Sequence, residues 1–209
     1  MRALFFFLIA APLIGASPRC YAQAIATPTI QRSEHYAPLN GAQRWRRWLN
    51  EDGASSPIYL QSIAAASYMQ LFDDPNGWNR NSRGFIRRAG DSFVGIVVQN
   101  TVHEGMAAAA GTDPRYSPCK CTGFFSRSGH ALKMTFLTNT RNGHLTVDLP
   151  QFSGIYAGSM TESMWWPHHY SATVQGMQSG HLQVGLTAVI HLVQEFSPEL
   201  KRLFHKPAQ

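Results

Sequence analysis

Apolar and polar positions alternate at helical spacing through most of the chain, and breaker residues divide the pattern into separate segments. "GAQRWRRWL" predicts a short helix ending near "NEDGA". Ser56-Pro57 then places a cap and a first-turn proline before "PIYLQSIAAASYMQLF", which "DDPNGW" breaks off. The longest helix is predicted over 82–110. On it Phe85, Ala89, Ile96, Asn100, His103 and Ala107 share one side, and Phe93, Val97, Glu104 and Ala108 the next. Its second half is apolar nearly all round, which predicts a central, buried helix. Glycines 84, 90, 95 and 105 each lower helix propensity, so close backbone packing is expected to compensate for them. Asp113-Pro114 ends it.

Further helices are predicted over "RSGHALKMTFLTNT", closed by Asn142-Gly143, and over "PQFSGIYAGSMTESMWW", opened by Pro150 and stopped by Pro167. Another spans 171–196, and a last one, begun by Ser197-Pro198, ends near Phe204. Gly154 with Gly158, and Gly176 with Gly180, repeat a spacing that lets helices approach closely. Strand signals are scarce apart from "HLTVDL". The expected fold is all-α, a single-domain bundle of about five to seven helices packed through Gly, Ala and Ser. Neither 54–72 nor 163–194 contains Asp, Glu, Lys or Arg. Both nevertheless carry Ser, Gln, Tyr or His, so neither offers about 20 apolar residues in a row, and a soluble or membrane-peripheral bundle is favoured over spanning helices.

The N-terminal "MRALFFFLIAAPLIGASPRCYAQA" has one early cation, an apolar stretch and small residues at a cleavage point, the pattern of a secretory signal peptide over 1–24. An aperiodic leader follows over 25–40, then the helical domain over 41–206. Cleavage would remove Cys20 and leave Cys119 and Cys121, which in an oxidising compartment are expected to form a local disulfide. The expected location is the periplasm or cell envelope.

Charged residues make up 14% of the chain, against roughly 25% in ordinary soluble domains, which predicts a poorly charged surface. Eighteen Lys and Arg against 12 Asp and Glu give +6, or +4 once Arg2 and Arg19 leave with the signal peptide. "RWRRW" and "RNSRGFIRR" set arginines among aromatic rings, a combination that can hold phosphate. The simpler reading is a solvated helix face, and no nucleic-acid partner is expected.

Several polar groups are candidates for chemistry. His103 and Glu104 begin a His-Glu pair, but a zinc-protease helix needs a second His four residues after the first, and that position holds Ala107. A polar pair satisfied by neighbouring helices is favoured over catalysis. On 171–196, His181, Val184, Ala188, His191 and Glu195 form one stripe, and His191 with Glu195 could grip one metal ion. The opposite side carries Leu182, Leu186, Val189, Ile190 and Val193, so the polar stripe is expected to face water. Glu162 is the one formal charge between 149 and 194, and Glu104, Glu162 and Glu195 converging with His103 and His191 would make a carboxylate-rich metal site. Trp165-Trp166 and His168-His169 read as an exposed, interface-seeking cluster. Asp113-Pro114-Arg115-Tyr116 is a compact turn able to set Arg115 against a carboxylate or lipid phosphate, so Arg115, Tyr116 and Glu162 are candidate binding residues. No phosphate loop, nucleophile elbow or dinucleotide fingerprint is present, and no cofactor is assigned.

"GFIRRAGDSF", the glutamate before "DPRY", "ALKMTFLT" and "EFSPELKRLFHK", in that order over about 78–206, resemble a group of exported bacterial proteins without an assigned activity. The resemblance implies export and a helical body, and the Cys119 and Cys121 pair after the turn departs from it. Two functional expectations result. One is a noncatalytic helical envelope protein, membrane-associated, with membrane lipid or another envelope protein as partner. The alternative is a metal-dependent or general-base hydrolase using Glu104 with His103 or His191. Oligomeric state is left open.

Overall fold

In the computed structural model, residues 39–52 and 56–204 are described. The expected signal peptide, Cys20 and most of the leader lie outside them. The chain is a single-domain all-α bundle with one small hairpin. Helix α1 (Gly41–Arg47) begins with a reciprocal cap, in which the Asn40 side chain accepts from the Gln43 amide and the Gln43 side chain from the Asn40 amide, both at 2.9 Å. It runs into a π turn, Trp48–Asp52. Helices α2 (Ser56–Phe72), α3 (Ser82–Ala110), α5 (Leu149–Ser163) and α6 (Ala172–Glu195) pack in that order, each on the next, with α4 (Phe124–Lys133) on α6 and α7 (Ser197–Phe204) after it. Asn81 caps α3, Gly111 closes it at φ 69°, and Asp148 caps α5 by accepting from the Gln151 amide at 3.0 Å.

Two expected helices end early. The helix expected over "RSGHALKMTFLTNT" stops at Lys133, and its second half is strand β1 (Leu137–Asn139), paired antiparallel with β2 (Leu145–Val147) so that Thr138 faces Thr146. Asn142-Gly143, read as a helix stop, is the hairpin turn, and the β-branched threonines suit the pairing. The helix after Pro150 stops at Ser163, short of Trp165-Trp166.

Close helix contact is made by particular glycines. A Cβ on Gly158 would lie 2.6 Å from the Gly95 carbonyl oxygen of α3, and one on Gly154 2.6 Å from that of Gln99. Gly176 and Gly180 do the same between α6 and α5, against Met160 and Tyr156. Gly90 and Gly105, also expected to pack, face open space, with nothing within 4 Å of a Cβ built there.

The interior is short of large aliphatic side chains and rich in polar ones. Buried apolar groups include Ile58, Ile96, Ile155, Met134 and Trp78, beside buried Arg44, Arg88, Asp91, Glu104, Asp113, Ser159 and Glu195. Inward hydroxyls close locally, as in Ser62 to the Ile58 carbonyl (2.7 Å), Ser163 to Ser159 (2.9 Å) and Thr187 to Gln183 (2.9 Å). The outside is correspondingly apolar. Helix α6 turns out the Leu182, Leu186, Val189, Ile190 and Val193 side and buries Gly176, Gly180, Thr187 and Glu195, the reverse of the amphipathic expectation. The glycine side wins because it permits the closest approach to α5.

Candidate functional site

Glu195 ends α6 with its carboxylate wholly inside. The Tyr116 hydroxyl donates to Oε2 at 2.5 Å, the Cys119 amide to both oxygens at 3.1 and 3.2 Å, and Arg127 Nε to Oε1 at 3.3 Å. Arg127 also donates to the Glu195 carbonyl and, at 2.5 Å, to Glu199 of α7, while its guanidinium lies 4.4 Å from the Phe196 ring centre. Burial alone would raise the Glu195 carboxyl, but the Tyr116, Cys119 and Arg127 donors outweigh it and hold it below the usual range. Burial, then the bond to Glu195, push the Tyr116 hydroxyl above its ordinary value. The "DPRY" and "EFSPEL" segments, 79 positions apart at Tyr116 and Glu195, thus meet on one carboxylate.

Beside this hub, the His191 ring stacks on Tyr116 at 4.4 Å, with Nδ1 3.3 Å from the Thr135 hydroxyl. The Thr135 hydroxyl also lies 3.1 Å from the Ala131 carbonyl, to which it donates. Burial, with His130 nearby, lowers the His191 imidazole. His130 Nε2 donates to the Ser117 carbonyl at 2.9 Å. Cys119 and Cys121 are joined by a disulfide. Arg115 grips its own turn's Asp113 through Nε at 2.9 Å and Nη2 at 2.5 Å, and Thr138 ties Asp113 to the hairpin by donating to its carbonyl at 2.6 Å. Arg47, Arg115, Tyr116, Pro118, Gln194 and Ser197 line an open cleft of about 350 Å³ here.

Glu104 sits elsewhere, ion-paired with Arg47 and 4.0 Å from Arg44, whose Nη2 donates to the Thr112 carbonyl at 2.6 Å. The arginines of "RWRRW" are therefore partly structural and not simply a solvated face. His103 turns toward Gly154 of α5, and its Nε2 has no hydrogen-bond partner. Burial first, then Arg47 and Arg44, bring its pKa down to about 4, so the imidazole is neutral at pH 7.

A third carboxyl group is Glu162, which lies over Gly95, where a Cβ would meet its Oε1 at 2.1 Å. Its neighbour is Asp91, one turn earlier on α3, each of whose oxygens takes one indole N–H, Trp165 at 2.5 Å and Trp166 at 2.9 Å. Burial raises Asp91 to about 6 against its two indole donors, and burial followed by the Asp91 charge holds Glu162 well above the ordinary range. Of the cluster expected to be exposed, Trp165, His168 and His169 are exposed and Trp166 is buried.

Glu104, Glu162 and Glu195 thus have three separate sets of partners. Among the described residues no three of His, Cys, Asp or Glu gather to hold a metal ion. His191 and Glu195, four apart on α6, both meet Tyr116, the His191 ring by stacking on it and the Glu195 carboxylate by accepting from its hydroxyl. Sequence reasoning passed over Asp91, Arg127, Arg88 and the pairing role of Arg44 and Arg47. A signal existed for Asp91, the one acid between Asp74 and Glu104. Arg88, in the "RNSRGFIRR" patch, is fully buried. It binds the carbonyls of Asp74 (2.9 Å), Pro75 (3.2 Å) and Trp78 (3.0 Å) and the side chains of Gln70 (2.7 Å) and Asp73 (3.2 Å).

No protein-family model, curated protein or solved structure matches the chain.

Proposed function

We propose that this is an exported, noncatalytic helical envelope protein that associates with the surface of a membrane through α2. The observation that carries the reading is the outer face of that helix. Its 17 residues contain no charge, and they bury only the narrow stripe of Ile58, Ser62 and Ala66. Leu60, Leu71 and Phe72, each about two-thirds exposed or more, stand outside with Tyr59, Ile63 and Tyr68. Such a largely apolar face, broken by exposed Gln61 and Ser67, is one that water disfavours and lipid accepts.

Cations stand at the C-terminal end of this face, and others precede it along the chain. Arg46 and the exposed Trp45 lie on α1, which leads toward α2. Arg80 binds the Gln70 and Leu71 carbonyls at 3.1 and 2.9 Å, and exposed Arg83 and Arg87 follow on the first turns of α3. Guanidinium and aromatic groups around an apolar strip suit anionic headgroups, each cation adding about 1 kcal/mol near such a surface. Among the described residues no helix is long and apolar enough to cross a membrane. The engaged carboxylates support the noncatalytic part, since Glu104 is held by arginines and Glu195 by Tyr116, Cys119 and Arg127.

Co-sedimentation with vesicles tests the reading. The protein should partition onto anionic vesicles and weakly onto zwitterionic ones, with salt reducing the difference. Leu60→Glu with Leu71→Glu should lower partitioning about 30-fold or more, because each large side chain contributes about 1.5–3 kcal/mol when fully buried. Equal recovery of both forms in the supernatant would refute it.

A further inference from the structure

We infer that the Cys119–Cys121 bridge is a thiol-exchange site, opened reversibly by a small thiol and closed by its disulfide, and not a staple of the fold. The bond spans a single residue, Lys120. Closing a loop of three residues removes about a third of the chain entropy that closing 100 would, so the bridge adds little to stability. The segment around it is fastened by other means. The Tyr116 hydroxyl and the Cys119 amide donate to Glu195, the Asn139 side chain to the Ser117 hydroxyl at 3.3 Å, and His130 Nε2 to the Ser117 carbonyl at 2.9 Å. None of these contacts passes through a sulfur atom.

The surroundings of the two sulfurs suit exchange. Residues 117–123 form neither helix nor strand, and Pro118, Lys120, Thr122 and Gly123 are exposed around the half-buried cysteines, so a small reagent can approach. The Cys121 amide donates to Cys119 Sγ at 3.1 Å, and Lys120 carries an ammonium between the two in the chain. A donor aimed at one sulfur makes that sulfur the better leaving thiolate, which sets the direction of attack. The incoming thiolate attacks Cys121 Sγ and forms a new S–S bond there. The Cys119–Cys121 bond breaks, and its electron pair leaves on Cys119. A second thiolate then attacks the reagent's sulfur in this mixed disulfide and releases Cys121, which, like Cys119, takes a proton from water. Two thiols are thereby oxidised to one disulfide as one bridge is reduced, and that disulfide drives the reverse. The exchange is stoichiometric and needs no membrane contact, so it stands or falls separately from the reading above.

The test treats the native full chain with reduced glutathione, Cys20→Ser being present throughout so that only the pair reports. Acid quenching, alkylation and peptide mapping by mass spectrometry then locate each thiol and mixed disulfide. The bridge should open with the circular dichroism spectrum unchanged and close again in oxidised glutathione, and glutathione trapped early should sit on Cys121. Cys119→Ser with Cys121→Ser should lower the melting temperature by no more than about 6 °C. The Cys119 thiol of Cys121→Ser should be alkylated at neutral pH about 3-fold or more faster than the Cys121 thiol of Cys119→Ser, because only Cys119 has the amide donor. The inference is overturned by a bridge that resists glutathione until urea unfolds the chain, or by loss of the helical signal on reduction. Early glutathione on Cys119, or equal alkylation of the two thiols, would overturn it as well.

Discussion

Replacing Gly158 by Ala separates glycine that serves close packing from glycine that merely occupies a helix. The added Cβ would stand 2.6 Å from the Gly95 carbonyl oxygen, 2.8 Å from the Gln99 Cβ and 3.3 Å from the Gln99 amide nitrogen. Two of these three neighbours are backbone of α3, so relief requires the helices to move apart by most of an ångström. Overpacking of this kind costs about 1–3 kcal/mol, and the helix-propensity gain of Ala over Gly, up to about 1 kcal/mol, offsets only part of it. At Gly105 the same substitution meets nothing within 4 Å and retains the propensity gain alone. The two variants should differ by about 1–3 kcal/mol in opposite directions around wild type, or roughly 2–12 °C in melting temperature for a chain of this size. Urea unfolding followed by circular dichroism measures both. Gly158→Ala as stable as Gly105→Ala would refute glycine-mediated contact between α3 and α5.

Other consequences can be checked in the same apparatus. The folded Asp91 carboxyl is raised from 3.8 to about 6, so its contribution to stability is complete below about pH 4 and is lost as the pH rises through 6. The loss is about 3 kcal/mol; Asp91→Asn should flatten that slope in urea titrations between pH 4 and 8, and an unchanged slope would contradict the assignment. Tyr116→Phe removes one donor from a fully buried carboxylate and should cost about 1–3 kcal/mol in unfolding free energy. Arg88→Lys keeps the charge but cannot reach the carbonyls of Asp74, Pro75 and Trp78 together. It should destabilise by at least about 3 kcal/mol, read as a lowered urea midpoint.

The limits of reading this sequence follow from its chemistry. Helices α2, α3 and α7 were legible because Pro57, "DDPNGW", Asp113-Pro114 and Ser197-Pro198 punctuate them, signals that act through backbone geometry alone. The hairpin was missed because "FLTNT" has helical spacing with its neighbours, and its strand character depends on pairing with Leu145–Val147. Orientation of α6 failed for a different reason. The amphipathic rule assumes that large aliphatic side chains seek the core, whereas here Gly176 and Gly180 take the interior and the aliphatic stripe is left outside. For the candidate site, Glu195, His191 and Tyr116 were named individually, but their meeting depends on contacts between distant segments. Glu104 illustrates the same limit, since His103 beside it in sequence is not its partner and Arg47, far away, is.

The account rests on the claim that α2 presents its apolar face to lipid. A lipid-soluble diazirine photolysed in anionic vesicles carrying the bound protein, with labelled peptides mapped by mass spectrometry, addresses it most directly. Label should concentrate on Tyr59, Leu60, Ile63, Leu71 and Phe72. Vesicle-bound protein labelled elsewhere while this segment stays clean would contradict the account.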